Sequence, residues 1–112
     1  MINVWRPVHA VQDNPLGLCK WNSLLPEDTL QAKITPTTAE NSMQAWRYRE
    51  GQDWFYLSKQ QPSEVYAFMQ HDSRGENGHG VNVPHASFTL TEDREKTFTR
   101  ISFECRVIAI VD

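Results

Sequence analysis

The stretch Thr99-Arg-Ile-Ser-Phe-Glu-Cys-Arg-Val107, which runs on into Ile108-Ala-Ile-Val111, decides the fold. Ile101, Phe103, Cys105 and Val107 alternate with Arg100, Ser102, Glu104 and Arg106. That is the period of two by which a β-strand sends alternate side chains to opposite faces. The continuously apolar end from Ile108 to Val111 predicts a tail buried on both faces. The polar row has two readings: a solvated outer face with alternating charges, or the polar lining of a barrel in which an arginine holds an acid.

Working outward, the same alternation recurs in short runs, and helical periodicity is almost absent. Ile2 to Arg6, Leu16 to Trp21 and Val65 to Gln70 read as strands. Ala45 to Glu50 and Asp53 to Ser58 read as the two arms of a hairpin around Glu50-Gly51-Gln52-Asp53, where glycine supplies the positive φ of a tight turn. Asn22 to Leu30 holds the one helix start, with Pro26, Glu27 and Asp28 suited to a first turn. Residues 34 to 42, 71 to 82 and 91 to 96 read as polar loops. Seven or so short strands joined by long loops predict a mainly β sandwich or barrel with one short helix.

Composition bounds the function. The chain has 112 residues and 13.0 kDa, the size of one domain over 1–112. Its net charge is −3 and its pI about 5.8, which gives nucleic acid no electrostatic footprint. Mean hydropathy is −0.58, and no apolar run reaches the ~20 residues of a membrane span, so no membrane partner is expected. No basic-then-apolar leader follows Met1, and Cys19 and Cys105 have no CxxC spacing. They read as reduced, buried, small hydrophobes in a cytoplasmic protein.

Histidine raises the question of metal. His71-Asp72 is adjacent, so on a strand the two side chains diverge; His79 lies between glycines, and His85 in Pro84-His-Ala-Ser-Phe88. The His-x-Asp or His-x-Glu spacing of a two-histidine, one-carboxylate iron site is absent. Phosphate loops, nucleophile elbows and Cys–His signatures are absent as well.

Several blocks together resemble a known family. Asn3-Val-Trp-Arg-Pro7, Pro15-Leu-Gly-Leu-Cys19, Pro26-Glu-Asp28, Trp54-Phe-Tyr-Leu-Ser58, Glu64-Val65, His71-Asp-Ser-Arg74, Pro84-His-Ala-Ser-Phe88 and Arg100-Ile-Ser-Phe-Glu-Cys-Arg106 come in the family's order. They are similar to the C-terminal part of the fungal hydroxylase/desaturase family that includes gibberellin desaturase and cephamycin 7-alpha-hydroxylase-like proteins. The resemblance implies a double-stranded β-helix of jelly-roll type, here a half-barrel, and tailoring of small natural products with iron(II) and 2-oxoglutarate. It implies that His85 is the distal iron-binding imidazole and Arg106 the arginine that grips 2-oxoglutarate. Asn3, Trp5 and Arg6 would line the same cavity. The family's His-x-Asp pair is expected in a region before the Asn3 block.

The resulting expectation is a metal-free tailoring enzyme with no cofactor. It would perform isomerase, cyclase or dehydratase chemistry through His85, Glu104 and Arg106 as polar groups. Trp5, Trp46, Tyr48, Trp54 and Phe68 would wall the substrate pocket, with Asn3, Arg6 and Arg100 as further substrate contacts. Two alternatives stand beside it. One is an iron(II)- and 2-oxoglutarate-dependent hydroxylase or desaturase whose metal site uses His85, with His71, Asp72 and His79 or a second subunit. The other is a non-catalytic accessory subunit. Open strand edges predict a homodimer.

Overall fold

The structure is a computed structural model that describes residues 1–30, 45–72, 82–93, 95 and 97–110. Strand β1 (Ile2–Pro7) is its organising element. It lies between β6 (Tyr66–Met69) and β8 (Ser102–Val107) and is antiparallel to both. A second sheet has the order β5 (Trp54–Phe55), β2 (Leu16–Cys19), β7 (His85–Ser87). β3 (Thr29–Leu30) and β4 (Ala45–Trp46) form a separate two-stranded ladder.

Register decides which face is inside. Asn3 lies opposite Phe68 and Arg106, and Trp5 lies opposite Tyr66 and Glu104. Directly opposed side chains share a face. Asn3, Trp5, Pro7, Tyr66 and Phe68 are all buried. Trp5, Tyr66 and Phe68 join Val11, Leu16 and Leu18 in one apolar cluster between the two three-stranded sheets. The polar row of β8 is therefore on the inner face, as a barrel lining requires.

The apolar row accordingly points outward, and four expectations need correcting here. Ile101 and Phe103 are 57% and 67% exposed, and Ile110 is 90% exposed. The tail from Ile108 to Ile110 is thus open rather than buried, because β8 is an edge strand and nothing among the described residues covers its outer face. Cys105 belongs to that row and is exposed, whereas Cys19 is buried; both are free thiols. Third, residues 45–58 do make the tight turn, with Gly51 at φ 98, but the arms do not pair as a hairpin. β4 joins β3, and β5 joins β2. Finally, residues 22–30 form only short 3-10 turns, Trp21–Ser23 and Pro26–Asp28, before turning into β3. Positions 34–42, 73–81 and Val111 lie outside the described residues, as does His79.

A buried carboxylate explains why the hairpin arms part. Asp28 is 2% exposed and accepts from Arg49 Nε at 2.9 Å and Nη2 at 3.1 Å, and from the Leu25 amide at 2.9 Å. The same guanidinium donates to the Ser23 carbonyl at 2.8 Å, and the Arg47 amide donates to the Asp28 carbonyl at 2.7 Å. These bonds pull the first arm toward the Ser23–Asp28 segment. Ser23 Oγ accepts from the Asp53 amide at 2.9 Å, which fixes the start of β5.

Arg49, chiefly by its hydrogen bonds, holds the Asp28 carboxyl down from 3.8 to about 2. A depressed folded-state pKa gives stability that is present above the unfolded value and lost as pH falls through the folded one. Stability should therefore fall between about pH 4 and pH 2, and Arg49→Gln should flatten that segment of the curve. Urea midpoints across this range would check it, and parallel curves for the two proteins would remove the clamp from the account.

Candidate functional site

His85 stands at the junction of the sheets. β7 pairs it with Leu18, and its ring sits against Phe68 with centroids 4.7 Å apart. Its Nδ1 lies 2.9 Å from the Val83 carbonyl oxygen. A carbonyl only accepts, so Nδ1 carries a proton, and Nε2 is the position that a neutral ring would leave with its lone pair. The imidazole is thus fixed in one orientation.

His85 lines a groove of about 340 Å³ whose walls include Trp46, Tyr48 and Trp54. The structure thus brings four of the expected site residues together. The indoles are themselves pinned. Trp46 Nε1 donates to Asn82 Oδ1 at 2.7 Å, and Trp54 Nε1 to Gln52 Oε1 at 3.1 Å. The Gln52 amide nitrogen donates in turn to the Arg47 carbonyl at 2.8 Å. Phe68 is buried behind the imidazole rather than in the wall. Asn3 is fully buried, and its Nδ2 donates at 2.5 Å to Gln70 Oε1. Gln70 lines the groove, so Asn3 reaches it through one intermediary.

The remaining expected residues lie elsewhere. Arg100 ties the sheets together: Nη1 donates to Ser102 Oγ and Nη2 to Ser87 Oγ, each at 3.1 Å. Its guanidinium lies 5.3 Å from the centroid of the Trp5 ring, a cation–π contact. Burial pulls the Arg100 pKa down, against the opposing pull of Asp13. Trp5 is core and also packs on Tyr66 with centroids 5.8 Å apart. Glu104 and Arg106 sit half exposed on the inner face of β8, 3.6 Å apart, and are not among the groove's lining residues. Arg6 is exposed on the opposite face of β1 from Trp5 and Pro7. Arg47, Gln70 and Asn82 were not singled out from sequence. Their role depends on how separate strands meet, and no local spacing signals it.

Iron is a poor fit to what the described residues offer. Among them, no three of His, Cys, Asp and Glu come together. His71 is held near the first residue, its backbone amide donating to the Met1 carbonyl at 3.1 Å and its carbonyl accepting from the Met1 ammonium at 2.6 Å. One imidazole leaves most of the ligand free energy of an iron site unsupplied.

Comparison with known proteins places this arrangement. A family model described as "Oxidoreductase/YMDC permease-like domain" matches residues 1–110. The chain is 29% identical to alpha-ketoglutarate-dependent dioxygenase phiK of a fungal species, over 98% of this chain and 40% of that protein. It is 25% identical to hydroxylase/desaturase asaB of Aspergillus flavus, over 100% of this chain and 55% of that protein. The structure superposes on the iron and alpha-ketoglutarate-dependent endoperoxidase NvfI with a TM-score of 0.67 and 24% identity, covering 92% of this chain and 38% of that one. The chain spans about half or less of the length of these relatives. Its fold is that of the cupin-like jelly roll, and its similarity to fungal hydroxylase/desaturases is the one the sequence blocks carry.

The placements predict two contrasting variants. Arg106→Ala removes a half-exposed side chain in a loose ion pair and should leave stability within about 0.5 kcal/mol. Phe68→Ala removes the ring between Asn3 and His85 and should cost about 3–5 kcal/mol. Chemical denaturation of both proteins reads the difference. A large loss for Arg106→Ala would mean that its side chain is packed.

Proposed function

Because the chain belongs to the family of the oxidoreductase/YMDC permease-like domain, we propose that it forms the small-molecule pocket of an oxygenase-like tailoring protein, with His85 as the proton-transferring group. One observation carries this reading. His85 lines a groove walled by aromatic rings, and the Val83 carbonyl occupies its Nδ1, so Nε2 is the nitrogen left to act as a base. Such a base takes a proton from a hydroxyl or an activated C–H of a bound molecule and returns it elsewhere. That is the chemistry of isomerisation, cyclisation or dehydration. Trp46, Tyr48 and Trp54 offer rings on which the substrate stacks and is oriented. Arg106 and Glu104, on the inner face, are available to a carboxylate or hydroxyl of a longer substrate that extends past the groove.

The names of the relatives favour a second reading: hydroxylation or desaturation dependent on iron(II) and 2-oxoglutarate. There His85 Nε2 would be one iron ligand and Arg106 would grip a 2-oxoglutarate carboxylate. Bound iron would supply oxidation that an imidazole alone cannot perform. Its other ligands would come from outside the described residues, whether His79, a second subunit or further chain. Unpaired Cys19 and Cys105 suit a reducing compartment, which supports a cytoplasmic setting. Among the described residues no helix is long and apolar enough to cross a membrane.

Metal analysis and thermal melts separate the readings. The expected result is no stoichiometric iron and no melting shift with iron(II) plus 2-oxoglutarate. A ligand at a hundred times its Kd adds ~2.7 kcal/mol, so a clear rise would establish the second reading. His85→Gln should keep the wild-type circular dichroism and abolish turnover of any substrate the wild type converts. Turnover that survives the substitution removes His85 from the chemistry.

Self-association is part of the same proposal. The outer face of β6–β1–β8 presents Val65, Met69, Ile101, Phe103 and Val107, all exposed, beside the open edge of β8. A symmetric dimer covers both. Light scattering at micromolar concentration should give twice 13.0 kDa. A monomer there counts against it.

A further inference from the structure

The polar atoms around the groove have a one-sided chemistry. Indole nitrogen can only donate. Trp46 therefore takes the oxygen of Asn82 and leaves the Asn82 amide nitrogen as the uncommitted end. Asn3 Nδ2 donates to Gln70 Oε1, which leaves the Gln70 amide nitrogen as its other end. Gln52, between Trp54 and the Arg47 carbonyl, is used at both ends. Arg47 lines the groove, and among the described residues no carboxylate pairs with its guanidinium. The chain has 14 acidic residues to 11 basic ones, yet among the described residues that line the groove none is Asp or Glu.

The site therefore offers two amide donors and a guanidinium, one lone pair at His85 Nε2, and three aromatic walls. An oxygen-rich anion with a flat apolar body satisfies all of these at once. Guanidinium grips a planar carboxylate or enolate in a bidentate way, amide nitrogens serve its oxygens, and indole and phenol rings stack on the body. A cationic ligand would find no counter-charge among the described lining residues, and a purely apolar one would strip water from three donors without replacing it.

We infer that the groove selects planar, apolar small molecules bearing a carboxylate or an enolisable carbonyl, with their oxygens held by Arg47, Asn82 and Gln70. This rests on the reading of the groove as a substrate site and names the substrate class. Arg47 acts here as a binding residue.

The test uses the full chain and three probes followed by tryptophan fluorescence: 2-naphthoate, the neutral 2-naphthamide and 2-oxoglutarate. Naphthoate should bind at least about tenfold more tightly than the other two, since one charge-assisted contact is worth about a factor of ten or more. Arg47→Gln should remove that preference by weakening naphthoate about tenfold while leaving naphthamide unchanged. Circular dichroism controls for folding. Equal binding of naphthoate and naphthamide overturns the inference, and so does failure of both to bind. An unchanged preference in Arg47→Gln, or 2-oxoglutarate binding as tightly as naphthoate, overturns it too. Carbethoxylation of His85 by diethyl pyrocarbonate reads the underlying site separately. Protection by naphthoate and naphthamide alike leaves the groove as the substrate site with no selection for charge. Naphthoate that binds through Arg47 without protecting His85 keeps the anion selectivity and removes the imidazole from reach.

Discussion

The register of β1 between its two neighbours is the constraint on which the rest depends. An antiparallel ladder places opposed side chains on the same side, and a slip of one residue would reverse every face at once. With Asn3 opposite both Phe68 and Arg106, one period of two assigns core, lining and surface across three strands. Trp5 and Phe68 enter the cluster shared with Leu16 and Leu18. Arg106 and Glu104 follow them to the inner face. Phe103 and Val107 must then point away, whatever their hydrophobicity.

The second constraint is electrostatic and local. Asp28 is too buried to remain charged without compensation, and Arg49 supplies that compensation through a two-point contact. Because Arg49 also reaches the Ser23 carbonyl and the Arg47 amide bonds the Asp28 carbonyl, the ion pair sets the path of residues 45–53. Those residues supply Trp46, Arg47, Tyr48 and Gln52 to the groove. Sheet packing places His85, and the Asp28–Arg49 pair places the opposite wall. Neither alone makes a site.

How much of this was legible in the sequence follows the range of each interaction. Ile2 to Arg6, Leu16 to Trp21 and Val65 to Gln70 announce their strands through alternation, and the structure places β1, β2 and β6 there. The turn at Gly51 is equally local, since it needs only a positive φ. Pairing is not local. The two aromatic arms around Gly51 look complementary, yet each finds its partner in a different ladder because Asp28, far away in sequence, draws the first arm aside. Cys105 shows the limit most plainly. Its alternation with Glu104 and Arg106 is visible, but which set faces inward depends on what packs against the sheet. The blocks quoted from Asn3 to Arg106 did point to the fold, and they did so as a resemblance, not as a deduction from period.

The distribution of polarity in β8 also links the fold to the chemistry. A polar inner row and an apolar outer row are the reverse of a simple two-layer sandwich, whose inner faces are apolar. They suit a sheet that encloses a polar cavity on one side and is covered on the other. Arg100 shows how that inner row is held in place, because its guanidinium spans Ser87 and Ser102 over the Trp5 ring and so couples the two sheets. Farther along the row, among the described residues Arg106 has only a long contact to Glu104. The row thus grades from a structural arginine at the Arg100 end to an uncommitted one at the Arg106 end, next to buried Asn3. Asn3 in turn orients Gln70 at the groove. The amide pair Asn3–Gln70 is the physical connection between the β8 lining and the groove that holds His85.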